Sequence, residues 1–337
     1  MSESKVDWSP LCDIVHGAQS FTLSSHVRPD ADAVGSELAM AMGLRSLGKS
    51  VRIINPSALG GHLAFLDPNQ EAGSLADEDS EEGLFNVDVC MVLDTSSWSQ
   101  LNRVGKLLRK SSGRRVVIDH HVSSDDMGAE IFKDTTSAAT GELVFECLQA
   151  LGVTITPEIA VALYCAIATD TGWFRFSSTT GRTMRIVGQL IDAGARPQQI
   201  YENLYEQNSA ARMQLMSRSL ARITLAEGGR LAYTTVLWKD FEETGAHPSD
   251  TEDFVNLCLT IAGTKVAFMA VEQQNGQTKI SLRSRMGLDV AKIAEKFGGG
   301  GHRQASGTVL SGPLVAARER ILTAICEELA AVDSAAE

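Results

Sequence analysis

Apolar and β-branched residues recur in short segments along the first 120 positions of the chain. Four of these segments predict strands, at residues 21–27, 51–55, 87–94 and 115–119. The third is a nearly continuous apolar run, which is typical of strands that are buried on both faces of a parallel sheet. A helical segment at 33–47 separates the first two strands, so the pattern favours a doubly wound parallel α/β sheet.

Helical patterns dominate the middle of the chain, at residues 140–151, 157–169 and 181–193 and, in a more polar form, at 196–229. The last hundred residues predict a strand, a helix, two strands that an Asn275-Gly276 turn joins, a helix, a glycine tetrad, a short strand and a final helix. We therefore predict an α/β protein in three parts. These are a larger N-terminal doubly wound parallel-sheet domain at 1–195, a helical linker at 196–229 and a smaller C-terminal α/β domain at 230–337.

The composition agrees with a globular protein that has two cores. The chain has 337 residues, of which 44% are apolar and 21% are charged, and this length exceeds the usual size of a single core. No apolar run approaches the roughly 18 residues that span a bilayer, and the first residues lack the basic and apolar parts of a signal peptide. We expect a cytoplasmic protein without membrane contact.

The six cysteines are scattered and form no C-x-x-C pair, so we expect buried, reduced thiols rather than disulfides or a thiolate zinc site. They are Cys12, Cys90, Cys147, Cys165, Cys258 and Cys326.

The formal net charge of -12 argues against a long groove for duplex nucleic acid, because such binding draws on many lysines and arginines. Residues 264–305 are an exception, since basic side chains outnumber acidic ones there, and a local anion-binding surface is consistent with this. The acidic run at 77–82 is predicted to be a solvated loop rather than a cation site. The sequence leaves a homodimer open.

Aspartate and histidine follow three of the predicted strands. His26, Asp30 and Asp32 follow the first, Asp94 ends the third, and Asp119-His120-His121 ends the fourth. The carboxyl ends of parallel strands meet at one edge of a sheet, where ligands bind. Carboxylate and imidazole are the ligands of a hard divalent cation such as Mg²⁺ or Mn²⁺.

Each of these residues alone has an ordinary explanation, because an Asp at a strand end is usually a turn or a helix cap. The joint pattern favours metal. Several carboxylates packed together repel one another and would shift their pKa values upward unless cations were present. Asp94 is positioned to bridge two ions.

Four ordered motifs resemble those of the DHH phosphoesterase superfamily, namely His26-Val-Arg-Pro-Asp30-Ala-Asp32-Ala-Val-Gly35-Ser36, Val92-Leu-Asp94, Asp119-His120-His121 and Thr169-Asp170-Thr171-Gly172. The segment Gly298-Gly-Gly-Gly-His302-Arg303-Gln-Ala-Ser-Gly307 resembles the glycine-rich signature of the DHH-associated C-terminal domain. Length and domain order are most similar to the bacterial nanoRNase and phosphoadenosine-phosphate phosphatase branch.

The resemblance implies two divalent metal ions, with Mn²⁺ favoured over Mg²⁺ and Co²⁺. It implies one ion on His26, Asp30 and Asp94, and another on Asp32, Asp94, His120 and Asp170. His121 is then expected beside the scissile phosphate, and Asp119 is expected to orient its neighbours.

The glycine tetrad is predicted to present backbone N–H groups to a phosphate, because glycines adopt positive φ readily. A flexible loop is the alternative. The expected substrate-binding residues are Arg283, Gly299, Gly300, His302 and Arg303. A substrate that reaches both domains would be short.

Two further segments have two explanations each. Residues 176–180 are hydroxyl-rich and predict either a substrate contact or a helix N-cap at Thr179 or Thr180. Trp173 and Phe174 are expected to pack in a core rather than to stack a base.

The resemblance implies hydrolysis of short oligoribonucleotides, from two to a few nucleotides, to mononucleotides. It also implies removal of the 3′-phosphate of 3′-phosphoadenosine 5′-phosphate. A phosphodiesterase for cyclic dinucleotides or their linear products is the alternative enzyme, and a nucleotide-binding regulatory module is the alternative without catalysis. If the chain were such a module, we would expect some of the metal-binding residues to be lost, whereas every motif acid and histidine is present.

Overall fold

The computed structural model describes residues 6–76, 83–285 and 288–336. The chain divides into two compact units, Met1–Gln207 and Asn208–Glu337, and the division falls inside the 196–229 stretch. The acidic run at 77–82 lies outside the described residues. Across the described ranges, every helix falls short of the length and apolarity that a bilayer crossing requires. All six cysteines are free thiols, and four of them are buried.

The first unit alternates strands and helices. Its helices are α1 (Ser9–Gly17), α2 (Ala31–Ser46), α3 (Trp98–Lys110), α4 (Thr140–Ala150), α5 (Pro157–Asp170), α6 (Gly181–Asp192) and α7 (Pro197–Tyr205). Its strands are β1 (Ser20–Ser24), β2 (Ser50–Asn55), β3 (Ala72–Ser74), β4 (Val89–Leu93), β5 (Arg114–Asp119) and β6 (Glu130–Lys133).

The six strands form one parallel sheet in the order β3-β2-β1-β4-β5-β6. Successive residues of β4 alternate between two cores. Met91 and Leu93 pack with α2, α4 and α5, whereas Cys90 and Val92 pack with α3. The sheet is therefore covered on both faces, which confirms the predicted doubly wound fold. Sequence patterning missed the short edge strands β3 and β6, and it made no prediction for helices α1 and α3.

Helix α2 is buried along most of its length, which explains why its sequence is apolar or small all round. Asp30 caps its N-terminus by accepting hydrogen bonds from the N–H groups of Asp32 and Ala33. A Cβ at Gly35 would lie 2.4 Å from the carbonyl oxygen of Ala162 and 3.0 Å from the Cβ of Ala166. Glycine therefore lets α2 pack closely on α5.

The second unit contains α8 (Ala210–Ala221), α9 (Trp238–Thr244), α10 (Phe254–Leu259), α11 (Val290–Glu295) and α12 (Leu314–Ala336). Its strands are β7 (Thr224–Ala226), β8 (Leu231–Val236), β9 (Val266–Glu272), β10 (Gln277–Ser284), β11 (Gly300–His302) and β12 (Ala305–Ser311). They form a mixed sheet in the order β11-β12-β10-β9-β8-β7.

The β9–β10 hairpin turns at Asn275-Gly276, as predicted, and Gly276 has a φ of 75°. Phe268 and Ala270 of β9 pack toward α11 and α12, whereas Met269 and Val271 pack toward α8, α9 and α10. The second unit is thus a separate α/β core, as predicted.

Gly35→Ala should lower the free energy of unfolding by about 2 kcal/mol or more, because the added methyl would force α2 away from the α5 backbone. Gly188→Ala in α6 is the matched control, since nothing lies within 4 Å of its Cβ position, and it should stabilise by about 0.5–1 kcal/mol. Urea unfolding of both variants checks this. Equal effects would contradict the close-packing explanation.

Candidate metal centre

The parallel sheet brings chemically active side chains to its carboxyl edge. His26 lies two residues beyond the end of β1, Asp94 directly follows β4, and His120 directly follows β5. Asp32 stands in the first turn of α2, and Asp170 is the last residue of α5. Separate elements therefore deliver these side chains to one place, as the switch-point arrangement of such sheets predicts.

The histidine nitrogens face carboxylate oxygens at distances beyond a hydrogen bond. His26 Nε2 lies 3.8 Å from Asp30 Oδ1 and 3.5 Å from Asp94 Oδ2. These separations suit ligands that share one cation better than a direct hydrogen bond.

His120 forms the second such group. Its Nε2 lies 3.9 Å from Asp32 Oδ2, 3.7 Å from Asp94 Oδ1 and 3.4 Å from Asp170 Oδ2. The two oxygens of Asp94 thus face different histidines, with Oδ2 toward His26 and Oδ1 toward His120. This carboxylate has the orientation of a bridge.

All six predicted metal ligands come together in sets that could hold an ion. Within each set the ligand atoms lie within 4.8 Å of one another, and the sets are His26-Asp30-Asp94, Asp32-His120-Asp170 and Asp94-His120-His121.

Burial and mutual repulsion act on the carboxylates. Asp32 is only 1% exposed, and burial, followed by the charges of Asp94 and Asp170, raises its pKa well above the usual value. Burial, together with Asp94 and Asp30, also raises the pKa of Asp170 to about 6. Such a crowded set of carboxylates fits divalent cations, which offset the repulsion directly.

Burial would lower the pKa of His26, but Asp30 and Asp94 outweigh it and raise that pKa to about 11. The shift has the same cause as those of the carboxylates, namely crowded negative charge, which a cation bound to the neutral ring would offset.

The backbone at Asp94 is left-handed, with a φ of 62°. Its N–H still donates to the carbonyl of Ile118 at 3.0 Å, so the chain leaves the sheet only after that bond. A non-glycine residue in this region is uncommon, although Asp tolerates it better than most. The turn aims the carboxylate between the two histidines.

The segment at residues 137–141, which sequence reasoning did not identify as part of the site, holds three of the ligands. The Thr140 hydroxyl donates to Asp94 Oδ1 at 2.7 Å. The N–H of Thr140 donates to Asp32 Oδ2 at 2.7 Å, and the N–H of Gly141 donates to Asp32 Oδ1 at 2.9 Å. These groups begin α4, so the positive end of its dipole faces the buried carboxylate.

The same loop orients His120. The Ser137 carbonyl lies 3.3 Å from His120 Nδ1, which favours the proton there and leaves Nε2 toward the carboxylates. Arg182 is buried and anchors the start of the loop, because its Nη1 donates to Asp134 Oδ2 at 2.9 Å. Its Nε and Nη2 contact the carboxylate of Glu146. Of these features, the sequence predicted only where α4 begins. Contacts made by backbone groups cannot be recognised from residue types.

Asp119 is turned away from the ligand sets. Its Oδ1 accepts from the N–H and Nδ1 of His121 at 3.0 and 2.9 Å. Its Oδ2 accepts from Ser96 Oγ at 2.6 Å and from Lys133 Nζ at 3.0 Å. Burial opposes ionisation, yet these contacts lower the Asp119 pKa. Ser96 and Lys133 were not foreseen.

His121 is held by Asp119 but remains open to solvent. Its side chain is 51% exposed, and the Asp119 contact is the main cause of its raised pKa. With Nδ1 against Asp119, the Nε2 edge is left for another partner.

The five residues predicted to bind substrate lie in the second unit. Arg283 of β10 pairs with Ala305 of β12, and Ala305 pairs in turn with His302 of β11. Directly opposite residues share a face of an antiparallel sheet. Arg283 and His302 therefore flank a small side chain on the same face, and Arg303 is exposed just beyond.

The predicted nest of four glycine N–H groups is wrong for its first half. The N–H of Gly298 donates to the carbonyl of Glu295, and that of Gly299 donates to the carbonyl of Ala294. Both bonds end helix α11, so these donors are already used. Gly299 is needed for space instead, since its Cβ would lie 2.2 Å from the Gly307 carbonyl oxygen.

At Gly300, by contrast, nothing lies within 4 Å of a Cβ position, so the space on that side of β11 is free, while the residue pairs with Gly307 of β12. The hydroxyl-rich segment at 176–180 ends in a helix N-cap, which was one of the two interpretations of this segment. Thr180 caps α6 by accepting from the N–H of Thr183.

Thr140→Val should weaken Mn²⁺ binding about tenfold, because Asp94 loses the donor that fixes its orientation. Thr140→Ser keeps the hydroxyl and should bind Mn²⁺ as the unmodified chain does. Isothermal titration of metal-free protein measures both affinities, and thermal unfolding checks that each variant is folded. Equal affinity in Thr140→Val and Thr140→Ser would contradict this role.

Comparison with known proteins places these features in a family. Residues 20–167 match the DHH family, N-terminal domain, and residues 228–331 match the DHHA1 domain. The chain is 33% identical to the bifunctional oligoribonuclease and PAP phosphatase NrnA of Thermus thermophilus, over 91% of this chain and 89% of that protein. It is 28% identical to the protein of the same name from Bacillus subtilis, over 85% and 87% of the two chains.

A solved exopolyphosphatase-related protein from Bacteroides fragilis has the same fold over both units, with a TM-score of 0.87, 25% identity and coverage of 98% and 99% of the two chains. The oxygen and imidazole donors at the sheet edge fit divalent metal ions, which the family also implies. The chain belongs to the DHH family and is a hydrolase of phosphoester bonds with a DHH domain followed by a DHHA1 domain.

Proposed function

We propose that the protein hydrolyses short oligoribonucleotides, of two to a few nucleotides, to mononucleotides, and that it also converts 3′-phosphoadenosine 5′-phosphate to AMP. The orientation of Asp94 between two histidine-containing ligand sets carries the proposal for phosphoester hydrolysis. The choice of substrate is supported by relatives that the chain matches over most of their length, whose name gives both activities.

Two divalent ions, Mn²⁺ before Mg²⁺ or Co²⁺, would be held at this site. His26, Asp30 and Asp94 would hold one, and Asp32, Asp94, His120 and Asp170 would hold the other. Such ions polarise a phosphoryl group, lower the pKa of water and stabilise a leaving oxygen. The protein fixes the ligands beforehand, through the cap of α2 at Asp30 and the α4 donors at Asp32.

Two residues, Asp94 and His121, would act at the scissile phosphate, and Asp119 would position one of them. Asp94 would be a ligand of both ions. Asp119 keeps the His121 ring fixed through Nδ1, so that Nε2 faces the substrate. The Asp119 contact raises the His121 pKa, and the ring in its protonated form would donate from Nε2 to a phosphate oxygen.

The second unit would contribute phosphate-binding residues of its own. Arg283 offers a planar, bidentate donor set for a phosphate, with His302 on the same face of the sheet. Arg303 adds positive charge beyond them. Gly299 allows β11 to lie close to β12, and the absence of a side chain at Gly300 leaves space for a ligand beside β11. Because these contacts are few in number, they favour a short substrate over a long one.

A direct test compares an RNA dinucleotide, an RNA 20-mer and 3′-phosphoadenosine 5′-phosphate in the presence of Mn²⁺. We expect kcat/KM for the dinucleotide to exceed that for the 20-mer by at least about tenfold, with clear hydrolysis of the bisphosphate. Asp94→Asn should lower all activities by at least about a hundredfold, because it removes a negative charge shared by both ligand sets.

Asp192→Asn is the matched control, since Asp192 is an exposed carboxylate at the end of α6 and should leave the rates unchanged. Equal rates on the dinucleotide and the 20-mer would overturn the preference for short substrates. An undiminished Asp94→Asn variant would overturn the metal site.

A further inference from the structure

Five aromatic rings gather in the first unit, from α5, from the turn after Asp170 and from α7. They are Tyr164, Trp173, Phe174, Tyr201 and Tyr205, and we call them the aromatic cluster. Trp173 and Tyr201 have ring centroids 5.0 Å apart, as do Tyr201 and Tyr205. Tyr164 lies 6.0 Å from both Trp173 and Phe174. The tilted and edge-to-face arrangements are those that aromatic rings prefer.

The backbone that carries two of these rings is unusual. Gly172, Trp173 and Phe174 are consecutively left-handed, with φ values of 55°, 56° and 62°. Only glycine adopts this conformation readily, because a Cβ crowds the backbone there. Buried Thr171 holds the turn, since its hydroxyl accepts from the N–H of Phe174 at 3.1 Å. Unfavourable backbone that is fixed in this way is frequent at ligand sites.

The turn keeps the cluster near the metal ligands. Trp173 is three residues beyond Asp170, so their Cα atoms are at most about 11 Å apart. The N–H of Trp173 donates to the carbonyl of Ala168 at 2.6 Å, which folds the chain back on the end of α5. Trp173 then reaches Tyr201 of α7 directly. The cluster therefore begins beside a predicted metal ligand.

The cluster has an inner and an outer side. Trp173 and Phe174 are half-buried against the core of the first unit. Tyr201 and Tyr205 are 43% and 44% exposed, and their spacing of four residues on α7 puts them on one helix face. Packing explains the inner rings, as the sequence suggested, but it does not explain two large exposed rings ordered by a strained turn.

We propose that Tyr201 and Tyr205 form a stacking platform for a nucleobase of the oligonucleotide substrate, with Trp173 holding them in place. The inference rests on the proposed function and adds a base-binding site to it. A nucleobase presents a flat π-face, and stacking on tyrosine accepts every base. The platform therefore favours substrates that carry a base but does not select among the four bases.

The test compares kcat/KM for an RNA dinucleotide with kcat/KM for two analogues in which one base or the other is replaced by hydrogen. The unmodified protein should prefer the complete dinucleotide over one of the analogues by about tenfold. Tyr201→Leu keeps apolar bulk without a π-face and should remove most of that preference, mainly through KM. Tyr201→Phe keeps the ring and should retain it.

Met184→Ala is the matched control, because Met184 is an exposed apolar residue of the first unit outside the cluster, and the preference should stay unchanged. Mn²⁺ affinity should be equal in all variants. A Tyr201→Leu and Tyr205→Leu pair that both retain the full preference would overturn the platform while leaving the proposed function intact. No hydrolysis of any dinucleotide by the unmodified protein would overturn the proposed function itself.

Discussion

Repulsion among carboxylates is the constraint that organises the first unit. Burial beside Asp94 and Asp170 raises the pKa of Asp32, and burial together with Asp94 and Asp30 raises the pKa of the partly buried Asp170. The surrounding groups all oppose this repulsion: imidazoles face the carboxylates, and the N–H groups at the start of α4 donate to Asp32. Divalent cations are the remaining charges that this arrangement accommodates.

Packing of α2 on α5 sets the geometry of that cluster. Gly35 lies one turn after Asp32, and Ala166 lies one turn before Asp170, and the two helices approach closely at this point. A larger residue at position 35 would therefore move two predicted ligands as well as two helices. In this protein the stability of the core and the spacing of the site depend on the same contact.

Sequence patterning predicted the strands that carry the ligands because buried parallel strands have a distinct apolar pattern. It missed β3 and β6, which are short edge strands. It also missed Thr140, Ser137 and Lys133, which act through a hydroxyl, a carbonyl and a partly buried ammonium on residues distant in the sequence. The glycine nest was partly wrong because helix α11 uses two of its donors. The exposed tyrosines of α7 were not foreseen, because their role depends on Trp173 from another element.

The number of ions bound tests the two-metal proposal most directly. Metal-free protein should be titrated with Mn²⁺ while electron paramagnetic resonance follows the bound ions. We expect two equivalents per chain and a spin-coupled spectrum, because Asp94 faces both ligand sets. The Asp94→Asn variant should lose the coupling. Saturation at one equivalent, or coupling that persists without the Asp94 carboxylate, would contradict the account.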